Sequence, residues 1–446
     1  MISVVGFILV GTIVALLLFR AVSPIAAFAT LPVIAALALG FSFDDLSTMA
    51  SDGISGVAQT AFLFIFAILF FGLMRDRGLF DPLVRAALKR TADRPVRVTV
   101  ATVFVAAVAH LDGLGAATFL LTIPAFLPIY KRMGMSPLNL VMLVGLAAGV
   151  INIVPWAGTT VRAAAAIGVD AIELWRPLIP IQLFGLAVVF GIAVVVGLRE
   201  KAKIRRAATD SVPVPAGAAP VHGSTTDHEP AEIERPGALS VRSWRYWANV
   251  VLTLATITAL ITQLLPFHLC FAVALGIGLV LNYRRAADQD HSIATHAKDA
   301  LAMGALIVTV GMFLGVMNGT GMLEQMGDVL VSAVPTQAGS VLHVIVGALG
   351  VPLGMIFGPD PYYFGILPLI QELVGSHGVG ADSVARAMLI GENTGFAVSP
   401  VVPTVYLALG LANLELGRHI RHSFLWFWGL SLAMLAASVA TGAVGF

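Results

Sequence analysis

The stretch VAHLDGLGAATFLLTIPAFLPIYKRMG, residues 108–134, contains an aspartate and a histidine inside a segment otherwise suited to hydrocarbon. Asp112 is followed by Gly113 and Gly115, and glycine weakens a helix that carries it. A charged group at membrane depth costs at least about 2.5 kcal/mol on insertion scales, so its presence there requires a physical reason. We interpret the stretch as a membrane segment that is interrupted by a polar turn.

The composition of the whole chain places it in a lipid bilayer. Of 446 residues, 58% are hydrophobic and 11% are charged, whereas soluble domains carry about 25% charged residues. The net charge of +1 provides no basic face for nucleic acid. The single cysteine, Cys270, excludes an intrachain disulfide and a cysteine metal site. No motif of hydrolases or nucleotide-binding proteins occurs in a suitable setting, so we predict neither enzymatic activity nor a resident cofactor.

The hydrophobic windows predict an all-α membrane protein with about ten transmembrane helices, because about 20 apolar residues cross the bilayer core. The windows are 2–19, 22–40, 55–74, 138–166, 177–198, 246–265, 267–283, 299–317, 384–409 and 423–445.

The distribution of Lys and Arg predicts which loops face the cytoplasm, because positively charged loops stay inside. Residues 75–97, 199–206 and 283–285 are basic, whereas the loop with Asp44 and residues 318–337 contain no Lys or Arg. We therefore predict a multi-pass protein of the cell inner membrane with both termini outside.

The chain divides into two halves that match at an offset of about 244 residues. We assign 1–198 to a first repeat, 199–245 to a cytoplasmic linker and 246–446 to a second repeat. The clearest match sets GVDAIELWR, residues 168–176, against GLANLELGR, residues 410–418. Because each half has an odd number of spans, the second repeat is expected to be inverted relative to the first. Inverted repeats with interrupted helices are typical of secondary transporters with a site near the midplane.

Each repeat is predicted to contain a re-entrant hairpin. The segment 96–130 would enter from the cytoplasm with its tip at LDGLGAAT, where Thr118 could cap the following half-helix. The segment 338–376 would enter from outside with Asp360 at its tip, although a kinked crossing is an alternative there. Two half-helices of about 15 residues reach roughly 22 Å, which is enough for mid-bilayer and too little for a crossing.

A broken helix follows each predicted hairpin. The breaks are NIVPWAGTTVR at 152–162 and GENTGFAVSPVVPTVY at 391–406, where prolines remove backbone donors. Carbonyl groups freed by a break suit a cation, and the N-termini of half-helices suit a carboxylate.

Five ionisable residues at the tips and breaks are candidates for binding and coupling. Asp112, Asp360 and Glu392 could accept protons or bind a cation, and the two aspartates could bind the metal of a substrate complex. The alternative is that each caps a helix. His110 could relay protons or be a structural group, and Arg162 could pair with a carboxylate or extend to the surface.

The remaining candidates for substrate binding are neutral residues near the same tips and breaks. They are Gly113, Gly115, Thr118, Asn152, Pro155, Gly158, Thr159, Thr160, Tyr362, Asn393, Thr394, Ser399, Pro400 and Thr404. Hydroxyl groups in membrane helices also bond back to their own backbone, which is the alternative for each Ser and Thr.

These stretches resemble the citrate–divalent metal:proton symporter family of the ion-transporter superfamily. The resemblance rests on LDGLGAATFLLTIPAFLPIYKRMG, LAAGVINIVPWAGTTVRAAAAIGVD, GPDPYYFGILP and TGFAVSPVVPTVYLALGLANLELGRH. It implies uptake of citrate complexed with a divalent cation such as Mg²⁺ or Ca²⁺, coupled to protons, by a homodimer with an elevator mechanism. It implicates the tips and breaks named above, while Ala116-Ala117 and Glu392 leave another carboxylate or coupling ion open.

Three other functions remain as alternatives at this point. A sodium-coupled dicarboxylate symporter would use the same architecture. An intramembrane aspartyl protease could use Asp112 and Asp360 as a dyad, and a passive channel would need no coupling ion.

Overall fold

Every regular element in the described part of the chain is a helix, which confirms the all-α prediction. The computed structural model describes residues 1–19, 21–91, 94–113, 115–210, 238–262, 264–333 and 339–446. Within these ranges, 6 helical segments are long and apolar enough to cross a membrane, and shorter apolar helices accompany them. The total of ten crossings stays a prediction.

Along the first half, two apolar helices are followed by one long helix, a short helix, a hairpin and a broken helix. They are α1 (Ile2–Leu18), α2 (Pro24–Ala38), α3 (Phe43–Asp76), α4 (Asp81–Lys89), α5 (Pro95–Ala109), α6 (Gly115–Arg132), α7 (Pro137–Ile151), α8 (Gly158–Ile167), α9 (Ala171–Trp175) and α10 (Ile179–Asp210).

The second half repeats this pattern in the same order. Its helices are α11 (Trp244–Thr262), α12 (Phe267–Asn282), α13 (Ala286–Gly319), α14 (Met322–Ala333), α15 (Leu342–Ala348), α16 (Gly350–Phe357), α17 (Leu367–Gly375), α18 (Ala381–Asn393), α19 (Pro403–Ala412) and α20 (Leu416–Ala440). The long helices α3 and α13 correspond, and each has 34 residues. The opposite orientation of the two halves in the membrane stays a prediction.

Two helices extend beyond the predicted boundaries, each for a local reason. The helix α3 contains the predicted span 55–74 and begins earlier, because Ser42 and Asp45 form a capping box that starts it at Phe43. The helix α10 continues to Asp210, past the predicted start of the linker at 199, through residues that favour helix even in water. Most of the predicted linker, 211–237, lies outside the described residues.

The crossing of α3 and α13 brings two backbones into direct contact. A Cβ atom on Gly315 would overlap the carbonyl oxygen of Met49 and lie 2.8 Å from the Cα of Gly53. A Cβ atom on Gly311 would in turn lie 2.7 Å from the carbonyl oxygen of Gly53. Membrane helices associate through such close packing of small residues. The two long helices therefore form one closely packed pair.

We predict that Gly315→Ala lowers the thermal stability of the detergent-solubilised protein, because overpacking of a close contact costs about 1–3 kcal/mol. Gly276→Ala in α12 is the matched control, since a Cβ atom there meets nothing within 4 Å. Thermal unfolding followed by size-exclusion chromatography measures both. Equal stability of the two variants would contradict the role assigned to the crossing.

Candidate functional site

The tip of the first hairpin lies against the first break. The helix α5 passes into a short 3₁₀ turn, His110–Asp112, which ends at Gly113 with a φ of 73°. A Cβ atom on Gly113 would lie 3.2 Å from the Cα of Ala157. The Trp156 indole also donates a hydrogen bond to the carbonyl of Leu111 over 2.7 Å. The turn and the break are thus packed as one unit.

Asp112 is held by an arginine from the long helix α3. Arg75 Nη1 lies 3.2 Å from Asp112 Oδ2, and the Asp112 side chain is 1% exposed. The guanidinium compensates the buried carboxylate, which would otherwise be costly at this depth. In the sequence, Arg75 appears only as one of the charges of the basic loop 75–97. Its position one residue before the end of α3 is the signal that could have suggested an inward role.

His110 and Thr118 interact with each other. His110 Nδ1 and the Thr118 hydroxyl share a hydrogen bond of 2.8 Å, and both side chains are fully buried. The imidazole lies beside the ring of Phe396, with 6.1 Å between ring centroids. Thr118 therefore lies inside α6 and contacts the histidine, whereas the sequence predicts it as a helix cap. Phe396 belongs to the second break, so this tip also reaches the other repeat.

The tip of the second hairpin lies against the second break. The helix α16 ends at Phe357, and Gly358 turns the chain with a φ of 72°. A Cβ atom on Gly358 would lie 3.1 Å from Val401 Cγ2. The Ser399 hydroxyl donates to the carbonyl of Gly354 over 3.2 Å. This arrangement mirrors the packing of the first tip on the first break.

Asp360 and Arg162 form an ion pair between the second tip and α8. Arg162 Nε donates to Asp360 Oδ1 over 2.6 Å, and Arg162 Nη1 donates to the carbonyl of Gly158 over 2.9 Å. The side chains are 13% and 19% exposed, respectively. Of the two alternatives for Arg162, pairing with an acid is the one observed. The residual exposure of both groups leaves them within reach of a solute.

A cavity of about 520 Å³ opens onto Asp360. Its wall includes Ser23 from the turn before α2, and Gly358, Pro361 and Val401 from the second tip and break. Cavities of about 300–1,000 Å³ are typical of small-molecule sites. Asp360 therefore lines a cavity that a small ligand can enter, and Arg162 lies behind it as its ion-pair partner.

The two breaks are joined by a buried amide network. Asn393 Oδ1 accepts hydrogen bonds from Asn152 Nδ2 over 2.8 Å and from the Thr159 hydroxyl over 2.9 Å. Asn393 Nδ2 donates to the carbonyl of Gly149 over 2.6 Å. Asn152 follows α7 and Asn393 ends α18, so corresponding positions of the two halves meet here. The network connects the unwound segments of both repeats.

Glu392 is buried beside two tyrosines. The Tyr363 hydroxyl donates to Glu392 Oε2 over 2.8 Å, and the Tyr362 hydroxyl donates to the carbonyl of Met388 over 3.2 Å. Both tyrosine side chains are completely buried. Tyr362 thus packs inside the protein, and Glu392 has the position of an internal carboxyl group one residue from the amide network.

Two predicted hydroxyl groups bond to backbone carbonyls of other segments, and not to those of their own helices as the alternative expects. Thr160 donates to the carbonyl of Ile153 over 2.8 Å, and Thr394 donates to that of Phe427 over 3.3 Å. Pro400 provides a carbonyl to the Tyr406 hydroxyl. The remaining predicted residues lie at or near the contacts already described: Gly115, Pro155, Gly158 and Thr404.

The two tip aspartates each pair with a separate arginine, Arg75 for Asp112 and Arg162 for Asp360. Among the described residues, no group of three or more His, Cys, Asp or Glu side chains could hold a metal ion. Each tip aspartate is therefore held in an ion pair with its own arginine, and metal binding by these aspartates stays a prediction.

Comparison with protein families and curated relatives gives matches along almost the entire chain. The family described as Citrate transporter matches residues 1–391. A Citrate transporter of Bacillus subtilis is 33% identical over 446 residues and covers 100% of both chains. A Mg(2+)/citrate complex secondary transporter of the same organism is 32% identical over 448 residues, covering 100% of this chain and 99% of the relative.

Comparison with solved structures identifies membrane transporters with a similar fold. The YdaH transporter of Alcanivorax borkumensis aligns with a TM-score of 0.58 and 14% identity, covering 91% of this chain and 90% of its own. MtrF of Neisseria gonorrhoeae aligns with a TM-score of 0.60 and 14% identity, covering 89% and 84%, respectively. At this identity the likeness concerns the fold alone.

We predict that Asn152 and Asn393 are energetically coupled. In a double-mutant cycle of Asn152→Ala and Asn393→Ala, the coupling free energy of unfolding should be about 0.6–1.7 kcal/mol, as for hydrogen bonds between membrane helices. Denaturation by sodium dodecyl sulfate measures it. The control cycle pairs Asn152→Ala with Asn249→Ala, because Asn249 bonds Asn282 instead. Additive effects in the first cycle would refute the network.

Proposed function

The chain belongs to the citrate transporter family, and we propose on this premise that it is a secondary transporter that takes up citrate complexed with a divalent cation. Membership agrees with the prediction of a multi-pass membrane transporter rather than an enzyme. The full-length relative named for the Mg(2+)/citrate complex supports a metal-bound substrate of the Mg²⁺ or Ca²⁺ type. The observation that carries the proposal is the Asp360–Arg162 pair beside a cavity of about 520 Å³.

The pair offers complementary charges to the two parts of a metal-citrate complex. A carboxylate of citrate would replace Asp360 on the Arg162 guanidinium, since arginine binds carboxylates through charge-assisted hydrogen bonds. Asp360 would then be free to contact the divalent cation, for which carboxylate oxygens are suitable ligands. The α8 N-terminus at Gly158 adds a partial positive charge near the same place. The exchange binds both components without leaving a charge unpaired.

Glu392 is the residue we assign to proton coupling. It is buried, it accepts a hydrogen bond from Tyr363, and it precedes the Asn393 that connects the two breaks. A change in its protonation would alter its hydrogen bond with Tyr363, which follows the second tip. Sodium coupling is the alternative, because carbonyl groups at an unwound helix also suit Na⁺.

The packing of the two long helices supports an elevator mechanism. The closely packed α3 and α13 would form a fixed scaffold, and the hairpins with the broken helices would slide against it. The Arg75–Asp112 pair crosses between these parts near the predicted cytoplasmic end of α3. At the opposite end, a cavity of about 580 Å³ is lined by Asp52, Asn318 and Gln371, among others. Both features are those expected if the hairpins and broken helices are displaced toward the cytoplasm. We also expect the protein to be a homodimer in the inner membrane.

We predict that proteoliposomes accumulate labelled citrate only when Mg²⁺ or Ca²⁺ is present, and faster under an inwardly directed proton gradient. Replacing Na⁺ by choline should leave the rate unchanged, because the proposed coupling ion is the proton. Uptake indifferent to both metal and pH would reject the coupling scheme, and turnover far above carrier rates would indicate a channel.

Two variants connect this assay to the site. Asp360→Asn should abolish metal-dependent uptake. Asp382→Asn is the control and should not, because Asp382 Oδ2 pairs with Arg386 Nη2 over 2.7 Å outside the site. Glu392→Gln should retain binding of metal-citrate in a thermal-shift assay and lose the response to the proton gradient. If Asp360→Asn transports normally, the proposed binding exchange is wrong.

We predict that Arg75→Gln shifts the protein away from the described state. In a Cys270→Ala background, Gln371→Cys, which lines the cavity of about 580 Å³, should react with an impermeant maleimide added outside. Loss of the Asp112 pair should slow that reaction by at most about tenfold if the pair contributes about 1.4 kcal/mol, because the equilibrium constant for the described state then falls tenfold. Ser47→Cys, exposed at the start of α3, is the control and should not change. An equal change in the reaction rates of both cysteines would contradict the sliding of the hairpins against α3 and α13.

A further inference from the structure

A groove on the first repeat is unrelated to the candidate site. It has a volume of about 750 Å³ and lies between the short helix α4, the first hairpin helix α5 and α10. Its lining combines apolar residues, including Leu83, Phe104 and Phe190, with the cations Lys89, Arg90 and Arg97. The hairpin tips and the breaks contribute no residue to this lining.

The cations at the groove form a positive cluster that no described acidic residue compensates. Lys89, Arg90 and Arg97 are exposed, and no hydrogen bond or ion pair joins them to another described residue. Among the described residues that line the groove there is no Asp or Glu. Three like charges that share one rim repel one another, so an anion placed between them lowers the energy of the arrangement.

The floor of the groove is apolar and accessible. Leu83 is 43% exposed and Phe104 is 39% exposed. The helix α4 is amphipathic, with Val84 buried and Lys89 exposed. Amphipathic helices with basic residues lie at the membrane interface, and basic pockets between helices on the cytoplasmic side bind anionic head groups. The basic loop places α4 on that side by the same charge rule.

We propose that this groove binds one anionic phospholipid. Its phosphate lies between Lys89, Arg90 and Arg97, and an acyl chain lies along Phe104 and Phe190. A free phosphate ion would use the cations and leave the apolar floor uncovered, whereas a zwitterionic lipid would cover the floor and bring its own cation. An anionic phospholipid satisfies both parts of the groove.

Native mass spectrometry of the full chain released from nanodiscs containing phosphatidylglycerol and phosphatidylcholine tests the assignment. The unmodified protein should retain one phosphatidylglycerol molecule. Replacing Lys89, Arg90 and Arg97 by Gln should weaken retention about a hundredfold, since each cation near a lipid surface contributes about fivefold. Lys201→Gln with Arg284→Gln and Arg285→Gln removes the same charge from exposed cytoplasmic positions and is the matched control.

Ala101→Trp provides a second test that keeps every charge. The indole would fill the floor of the groove and should release the lipid, while an unchanged elution profile in size-exclusion chromatography shows that the variant is folded. Any of three results would overturn the proposal. They are equal retention of phosphatidylglycerol by all variants, displacement of phosphatidylglycerol by inorganic phosphate alone, and retention of phosphatidylcholine equal to that of phosphatidylglycerol. None of these outcomes depends on the transported substrate.

Discussion

The structure depends on one constraint, that backbone groups inside a bilayer must find partners within the protein. The helices α7 and α18 both stop where a continuous helix would have satisfied these groups. The cost is offset by the side chains of the opposite break, because Asn393 bonds Asn152, Thr159 and the carbonyl of Gly149. The second repeat therefore satisfies a backbone carbonyl of the first, and side-chain hydrogen bonds join the two breaks.

The same limited tolerance of hydrocarbon for polar groups explains the positions of the charges. Asp112 and Asp360 lie at turns where no helix could shield them, and each is compensated by an arginine from another element. The two pairs differ in consequence. Asp112 is almost completely enclosed and connects the first tip to the long helix α3, whereas the Asp360 pair opens onto a cavity. One pair is suited to holding a position and the other to exchanging partners with a ligand.

Much of the architecture could be predicted because it follows from local patterns. Glycines at the first tip and prolines at both breaks coincide with the interruptions of the helices in the structure, whereas Pro124 and Pro128 lie inside the continuous helix α6. The boundary of α3 was missed because the polar first turns, capped by Ser42, have no hydrophobic signal. Arg75 was missed because a charge count assigns an arginine to a side of the membrane and gives no direction for its side chain.

The sequence by itself determined the membrane environment, the internal repeat, the interrupted helices and the acidic residues at their tips, because composition and periodicity encode all of these within short windows. The tertiary structure decided which arginine each aspartate meets, how the amides of two distant breaks join, and that Tyr362 is enclosed while Asp360 faces a cavity. The pairs Arg162–Asp360 and Asn152–Asn393 join residues about 200 or more positions apart. The contacts of such residues are fixed by how whole helices pack, which no local pattern contains.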